Sequence, residues 1–228
     1  GFVQALSCCS LKKQCKLLGL PIKMSEARNI QKPELLALEL LTREGYTGCF
    51  IEGGIVFVIL YALCFERLLK IGECKWGPSV RSMMYSSIMC YQFMEEPPEL
   101  ESQLLGEIAA TSKERMLKNY EILRSWQSGE TWWPNGYIGL TRELIDRVYS
   151  LLGVAALIEI AKLFFTDPFA YIKGWPDLTV CNSTSVRFIE VKTTDRLHQS
   201  QLITIPAMVQ AASIDVSIFQ LSDSRDAG

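Results

Sequence analysis

The sequence predicts an α/β (α+β) chain in which a helical N-terminal region precedes an α/β core with a small central mixed sheet. Three observations predict it. Between residues 33 and 165, apolar side chains recur at helical spacing. Leu178 to Cys181 and Val186 to Val191 are short β-rich runs flanking the turn residues Asn182-Ser183-Thr184-Ser185. A helical segment and a last strand-like run, Val216 to Gln220, then follow. The 228 residues, 49% of them hydrophobic, suffice for one sizeable domain or two small ones sharing an interface. The expected division is a basic lead-in over 1–32, a helical region over 33–165 and the core over 166–228.

In chain order, residues 1–32 carry Lys12, Lys13, Lys16, Lys23 and Arg28 with little opposing charge. A solvated, partly flexible segment is the plain reading, and an arm on a DNA backbone the sharper one. Pro33 suits the first position of a helix, whose leucines run to Leu41 before Gly45 closes it. Glu52 precedes the apolar run Ile55 to Phe65. Arg81 is the only charge in a long Ser-, Met-, Tyr- and Cys-bearing stretch, and Glu95 to Glu99 reads as a loop with an acidic helix start. Leu100, Leu104, Leu105 and Ile108 share a helical face. Thr111-Ser112-Lys113-Glu114 is a capping box ahead of Met116, Leu117, Tyr120, Leu123 and Trp126. Trp132 and Trp133 sit in a loop, where they either cover the core or stack on bases. Thr141 opens a helix through Leu152, and Val154 to Phe165 forms a second. Beyond the hairpin, Asp195 can cap a helix through Ala212 that Pro206 must kink.

Charge and cysteine usage exclude several classes. Lys and Arg total 23 against 25 Asp and Glu, net −2, so any nucleic-acid contact must come from a local patch. Eight cysteines without C-x-x-C pairs, and the single histidine His198, supply no zinc set, and they read as reduced intracellular thiols. No stretch reaches 18 uninterrupted apolar residues, Ile55 to Phe65 being ended by Glu66-Arg67. No secretory signal is present, so a soluble protein kept inside the cell, with no membrane partner, is expected. The chain opens on Gly1 with no Met, which reads as a fragment.

Chemistry concentrates in Gly174-Trp175-Pro176-Asp177-Leu178 and Ile189-Glu190-Val191-Lys192. With the turn centred on Ser183-Thr184, antiparallel pairing sets Cys181 opposite Val186, Thr179 opposite Phe188 and Asp177 opposite Glu190. Alternation then puts Asp177, Glu190 and Lys192 on one face. Like charges across a ladder repel, and a hard divalent cation removes the repulsion. A metal-dependent phosphodiester site is the expectation. A single Asp at an edge or an acid at a helix N-terminus, as Glu52 could be, carries no chemistry by itself.

The pattern P-D…E-x-K is that of the restriction-endonuclease-like superfamily. The longer string Gly174, Pro176, Asp177, Leu178, Glu190, Val191, Lys192, Asp195, Arg196, Leu197, Gln201, with Glu52-Gly53 upstream, resembles the VRR-type nuclease domain of Fanconi-associated nucleases from about Pro33 to Leu221. Two departures stand out: Phe50 occupies a position where the family usually has histidine, and the Lys192–Asp195 segment is one residue short. The resemblance implies a structure-selective DNA nuclease, a 5′-flap endonuclease and 5′-to-3′ exonuclease acting in interstrand crosslink repair. It also implies Mg²⁺ or Mn²⁺ held by Glu52, Asp177, Glu190 and the Val191 carbonyl, with catalytic Lys192 and a supporting Gln201. Branched or flapped DNA is the implied partner, with repair-complex proteins binding through flanking domains. The implied location is the nucleus in a eukaryote, otherwise the bacterial cytoplasm. Two alternatives are a catalytically silent DNA-binding module of the same fold and a Holliday-junction-resolving or restriction-like nuclease.

Overall fold

The computed structural model describes residues 1–27, 30–76, 99–125 and 139–223, and it divides into two units. One joins Gly1–Gly53 to Lys173–Gly228, and the other is Gly54–Ile172. Arg28, Arg81, Cys90, Trp126 and the Trp132-Trp133 loop lie outside the described residues.

The first unit holds a five-stranded mixed sheet in the order β1-β5-β4-β3-β2. Its strands are β1 (Ile22–Ala27), β2 (Thr47–Phe50), β3 (Leu178–Cys181), β4 (Val186–Lys192) and β5 (Asp215–Asp223). β2, β3 and β4 are antiparallel, while β4–β5 and β1–β5 are parallel. The β3–β4 register is the expected one, Cys181 opposite Val186 and Thr179 opposite Phe188. Asn182 makes the turn: its Oδ1 accepts from the Thr184 and Ser185 amides, both at 2.9 Å, as Asx chemistry requires.

The mixed sheet agrees with expectation, but the division of the chain differs. Residues 1–27 are folded into α1 (Phe2–Ser7), α2 (Leu11–Leu18) and β1. α2 starts where Ser10 accepts the Lys13 amide and stops at Gly19, whose φ of +69° favours glycine. α3 (Pro33–Arg43) and β2 also belong here, with Ala37 and Leu41 of α3 packed on Leu178, Val180, Ile189, Val191, Phe219 and Leu221. The opposite parity, Phe188, Glu190 and Lys192, faces the other side, where α10 (Gln199–Ala212) lies. α10 includes Pro206 and begins after His198, so Asp195 is not its cap.

The second unit is helical: α4 (Gly54–Leu63), α5 (Phe65–Trp76), α6 (Glu99–Ala110), α7 (Lys113–Ser125), α8 (Arg142–Thr166) and the short α9 (Pro168–Tyr171). α4 is apolar all round and buried, packing against α6, α7 and α8. Its last carbonyls are satisfied: Asn119 Nδ2 donates to Ala62 O (2.9 Å) and Thr111 Oγ1 to Leu63 O (3.0 Å). In α8, Gly153 takes φ +75° and ψ 160°, which breaks the helix at the boundary expected between Leu152 and Val154. By length and composition alone α8 is long and apolar enough to cross a membrane, although Gly153 divides it. Here its Leu157, Ile160, Ala161 and Phe164 are buried.

Cys8, Cys9, Cys15, Cys49, Cys64 and Cys181 are free thiols. Burial pushes Cys15 up to about 11 and Cys49 and Cys64 up to about 12, as for thiols that pack as apolar groups.

Candidate active site

Two glycines set the backbone of the site. Gly174 has φ +80°, and a side-chain carbon there would lie 2.4 Å from the Ser200 carbonyl group, so α10 can rest on the G-W-P-D turn only because position 174 is bare. Gly53 has φ +78°, and its Cβ would fall 2.3 Å from the ring of Trp175. Trp175 is itself buried, edge-on to Phe188 with ring centroids 6.0 Å apart. The E-G turn and the P-D turn are thereby pressed together. Backbone bonds complete the contact: the Ile51 and Glu52 amides donate to Asp177 O at 3.1 and 3.2 Å. Glu52 sits at φ +45°, an uncommon conformation for a residue with a side chain.

The acids and the lysine converge as the register requires. Asp177 Oδ2 accepts the Val191 amide at 2.8 Å, which fixes it beside the end of β4. Glu190, only 1% exposed, accepts at Oε1 from Gln201 Nε2 (2.6 Å) and from Lys192 Nζ (2.9 Å). Its Oε2 is buried with no partner. Lys192 is 4% exposed and reaches Asp195 Oδ2 at 3.4 Å. Gln201 in turn accepts the His198 amide at Oε1 (2.9 Å), so its amide cannot rotate without losing a bond at each end. His198 is exposed, with Nε2 3.7 Å from Asp195.

Electrostatics follow from this crowding. Burial, then the Asp177 charge, pushes Glu190 up to about 8 against the opposing pull of Lys192 and Gln201. Burial also raises Asp177, to about 6, with Glu34 and Glu52 adding to the rise and the Val191 amide and Lys192 opposing it. For Lys192, burial alone would lower the pKa. Glu190 and Asp195 more than offset it, and the net shift is upward.

The donor set fits a hard divalent cation: two neighbouring carboxylates, one with a buried oxygen lacking any partner, are what Mg²⁺ takes beside water and phosphate. Among the described residues no three acidic, histidine or cysteine side chains converge on one point. Asp177, Glu190, Lys192 and Gln201 are therefore brought together, whereas Glu52 is tied to Asp177 by its backbone and turns its side chain to solvent. Glu34, in the first turn of α3, is a residue whose bearing on Asp177 the sequence reading missed. Following Pro33, it reads only as a favourable charge at a helix start.

Among solved structures the chain is similar to paFAN1 bound to 5′-flap DNA with a gap. With the 2-nucleotide flap the TM-score is 0.61 at 17% identity, covering 92% of this chain and 40% of that one. With the 1-nucleotide flap it is 0.60 at 18% identity, covering 92% and 41%. This chain thus spans about two fifths of the length of those chains. No protein-family profile and no curated protein matches it. At this identity the likeness establishes the fold.

Proposed function

We propose that this chain, which has the fold of a Fanconi-associated nuclease, is a divalent-metal-dependent nuclease that hydrolyses DNA phosphodiester bonds at flaps or branches. One observation carries the reading. A buried carboxylate, Glu190, is gripped on one oxygen by Gln201 and Lys192 and left without a partner on the other, beside a second acid. A buried carboxylate with a free oxygen costs stability, and groups held this way concentrate at sites of chemistry.

Asp177 and Glu190, with the Val191 carbonyl, would hold Mg²⁺ or Mn²⁺, and Glu52 would add charge from the neighbouring turn. A cation bound there supplies Lewis-acid polarisation of the phosphate and a lowered pKa for the attacking water. Lys192 is held at the site by its ion pairs with Glu190 (2.9 Å) and Asp195 (3.4 Å). It would donate to the nucleophile or to the charge that develops on the phosphoryl oxygens. Gln201 orients Glu190. With a net charge of −2, DNA is gripped locally, and the outward residues Lys12, Lys13 and Lys16 of α2 supply cations for its backbone.

Both paFAN1 complexes hold flap DNA, which supports a flap as this chain's substrate. Action in crosslink repair, with nuclear residence in a eukaryotic source, extends the same reading. A silent DNA-binding module would need no lysine paired with Glu190, and junction-resolving nuclease dimers commonly lack a long helical region such as the unit 54–172. The test is cleavage of labelled 5′-flap DNA beside intact duplex in Mg²⁺, Mn²⁺ and EDTA, for the chain and for Asp177→Ala. Metal-dependent cutting near the branch, lost in Asp177→Ala, is expected. Flap binding without cutting in either metal would move the assignment to the silent module.

A further inference from the structure

We infer that Gln14, on α2 and outside the proposed site, is a positioning residue that fixes the segment linking Lys192 to Gln201; the inference rests on the nuclease reading. Gln14 is fully buried although it is polar. Its Oε1 accepts the Leu197 amide at 2.8 Å, while Nε2 donates to Leu197 O at 3.4 Å and to Leu6 O at 3.1 Å. One side chain therefore satisfies both backbone groups of Leu197, as a neighbouring strand would. A second tie runs beside it, from Arg196 Nη1 to Ser7 O at 3.1 Å.

The clamped segment, Thr193 to His198, belongs to no helix or strand. Its ends are the site: Asp195 contacts Lys192, and His198 holds the Gln201 that holds Glu190. Beyond the ties to α1 and α2, Gln220 Nε2 donates to Thr193 O at the start of the segment, at 3.2 Å. Without Gln14, Leu197 would keep two buried backbone groups unpaired, and the segment would shift to satisfy them. Lys192 and Gln201 would then lose their fixed distance from Glu190.

The experiment compares the chain with Gln14→Leu and with Leu17→Ser, a change on the exposed side of the same helix. Flap cleavage is read as kcat and KM, and amide hydrogen exchange over 193–201 is read without DNA or metal. For Gln14→Leu the expectation is a kcat lower by about tenfold to a hundredfold, as for a catalytic group displaced by about 1 Å, with KM unchanged. Faster exchange should be confined to 193–201, and Leu17→Ser should match the parent in both readouts. Unchanged exchange in Gln14→Leu overturns the inference whether or not the parent cuts DNA. Faster exchange with unaltered kcat also overturns it, because the clamp would then not serve the site. A parent that never cuts, with exchange raised in Gln14→Leu, retains the clamp and sinks the nuclease reading instead. Should Gln14→Leu not fold, Arg196→Gln loosens the same segment from an exposed position, and a smaller kcat loss with the same local exchange is required.

Discussion

Gly174 shows how tightly single residues are specified around the site. Its φ of +80° and the 2.4 Å approach of the Ser200 carbonyl group leave no room for a methyl group. Gly174→Ala should cost roughly 2–4 kcal/mol of unfolding free energy in a denaturant titration, from backbone strain and displaced packing together. The carboxyls make a second prediction. Both have folded-state pKa values above their ordinary ones, about 6 for Asp177 and about 8 for Glu190, so the metal-free folded state binds protons more tightly than the unfolded chain. Their contribution favours folding below about pH 4 and is lost as pH rises through those two values, a change on the order of a few kcal/mol. Thermal melts in EDTA should fall between pH 5 and 8, more steeply than those of Asp177→Asn/Glu190→Gln, and added Mn²⁺ should restore the loss at pH 8. The acids and Lys192 were legible because their spacing makes sense only on one face of a hairpin. Gln14 was not: it lies 183 residues before Leu197, and no local pattern joins them.

Elements were legible where local chemistry decides them. The β3–β4 hairpin came out in register because Asn182 and alternation specify it, and the break in α8 at Gly153 followed from the composition. β1 and β2 escaped notice. β1 is an edge strand with mostly exposed or half-buried side chains, and β2 has four residues, so neither leaves a pattern that periodicity can detect. Their sheet partners lie far along the chain, β1 beside β5 and β2 beside β3. A basic, acid-poor N-terminus therefore looked like a solvated arm, although Lys23 pairs with Glu44 and lies over the Phe219 ring. Truncation before Pro33 tests the difference. Loss of β1, Gln14 and the buried Leu6, Leu11 and Leu20 should abolish cooperative unfolding of the sheet unit, whereas a dispensable arm would leave the melt unchanged.

At the scale of the molecule, a chain of net charge −2 must bind a polyanion through a local surface. Converting Lys12, Lys13 and Lys16 together to Gln should make the log–log salt dependence of flap binding shallower by about 2 to 3 units if each faces a phosphate. An unaltered slope would remove α2 from the interface, and a normal melt would show that the surface change left the fold intact. The fold class was open to sequence reasoning, but the division of the chain was not, because the helical unit interrupts the sheet unit between two strands that pair with each other. That interruption has a thermodynamic consequence. Joining β2 to β3 means closing a loop of roughly 120 residues, a charge on the chain's freedom that grows with the logarithm of the disordered length. When α4 to α9 fold, most of that length ceases to be loop and the closure becomes cheaper. A lesion in Gly54–Ile172 that melts those helices should therefore weaken the Ile51–Asp177 and Glu52–Asp177 bonds without touching them, by returning entropy to the chain.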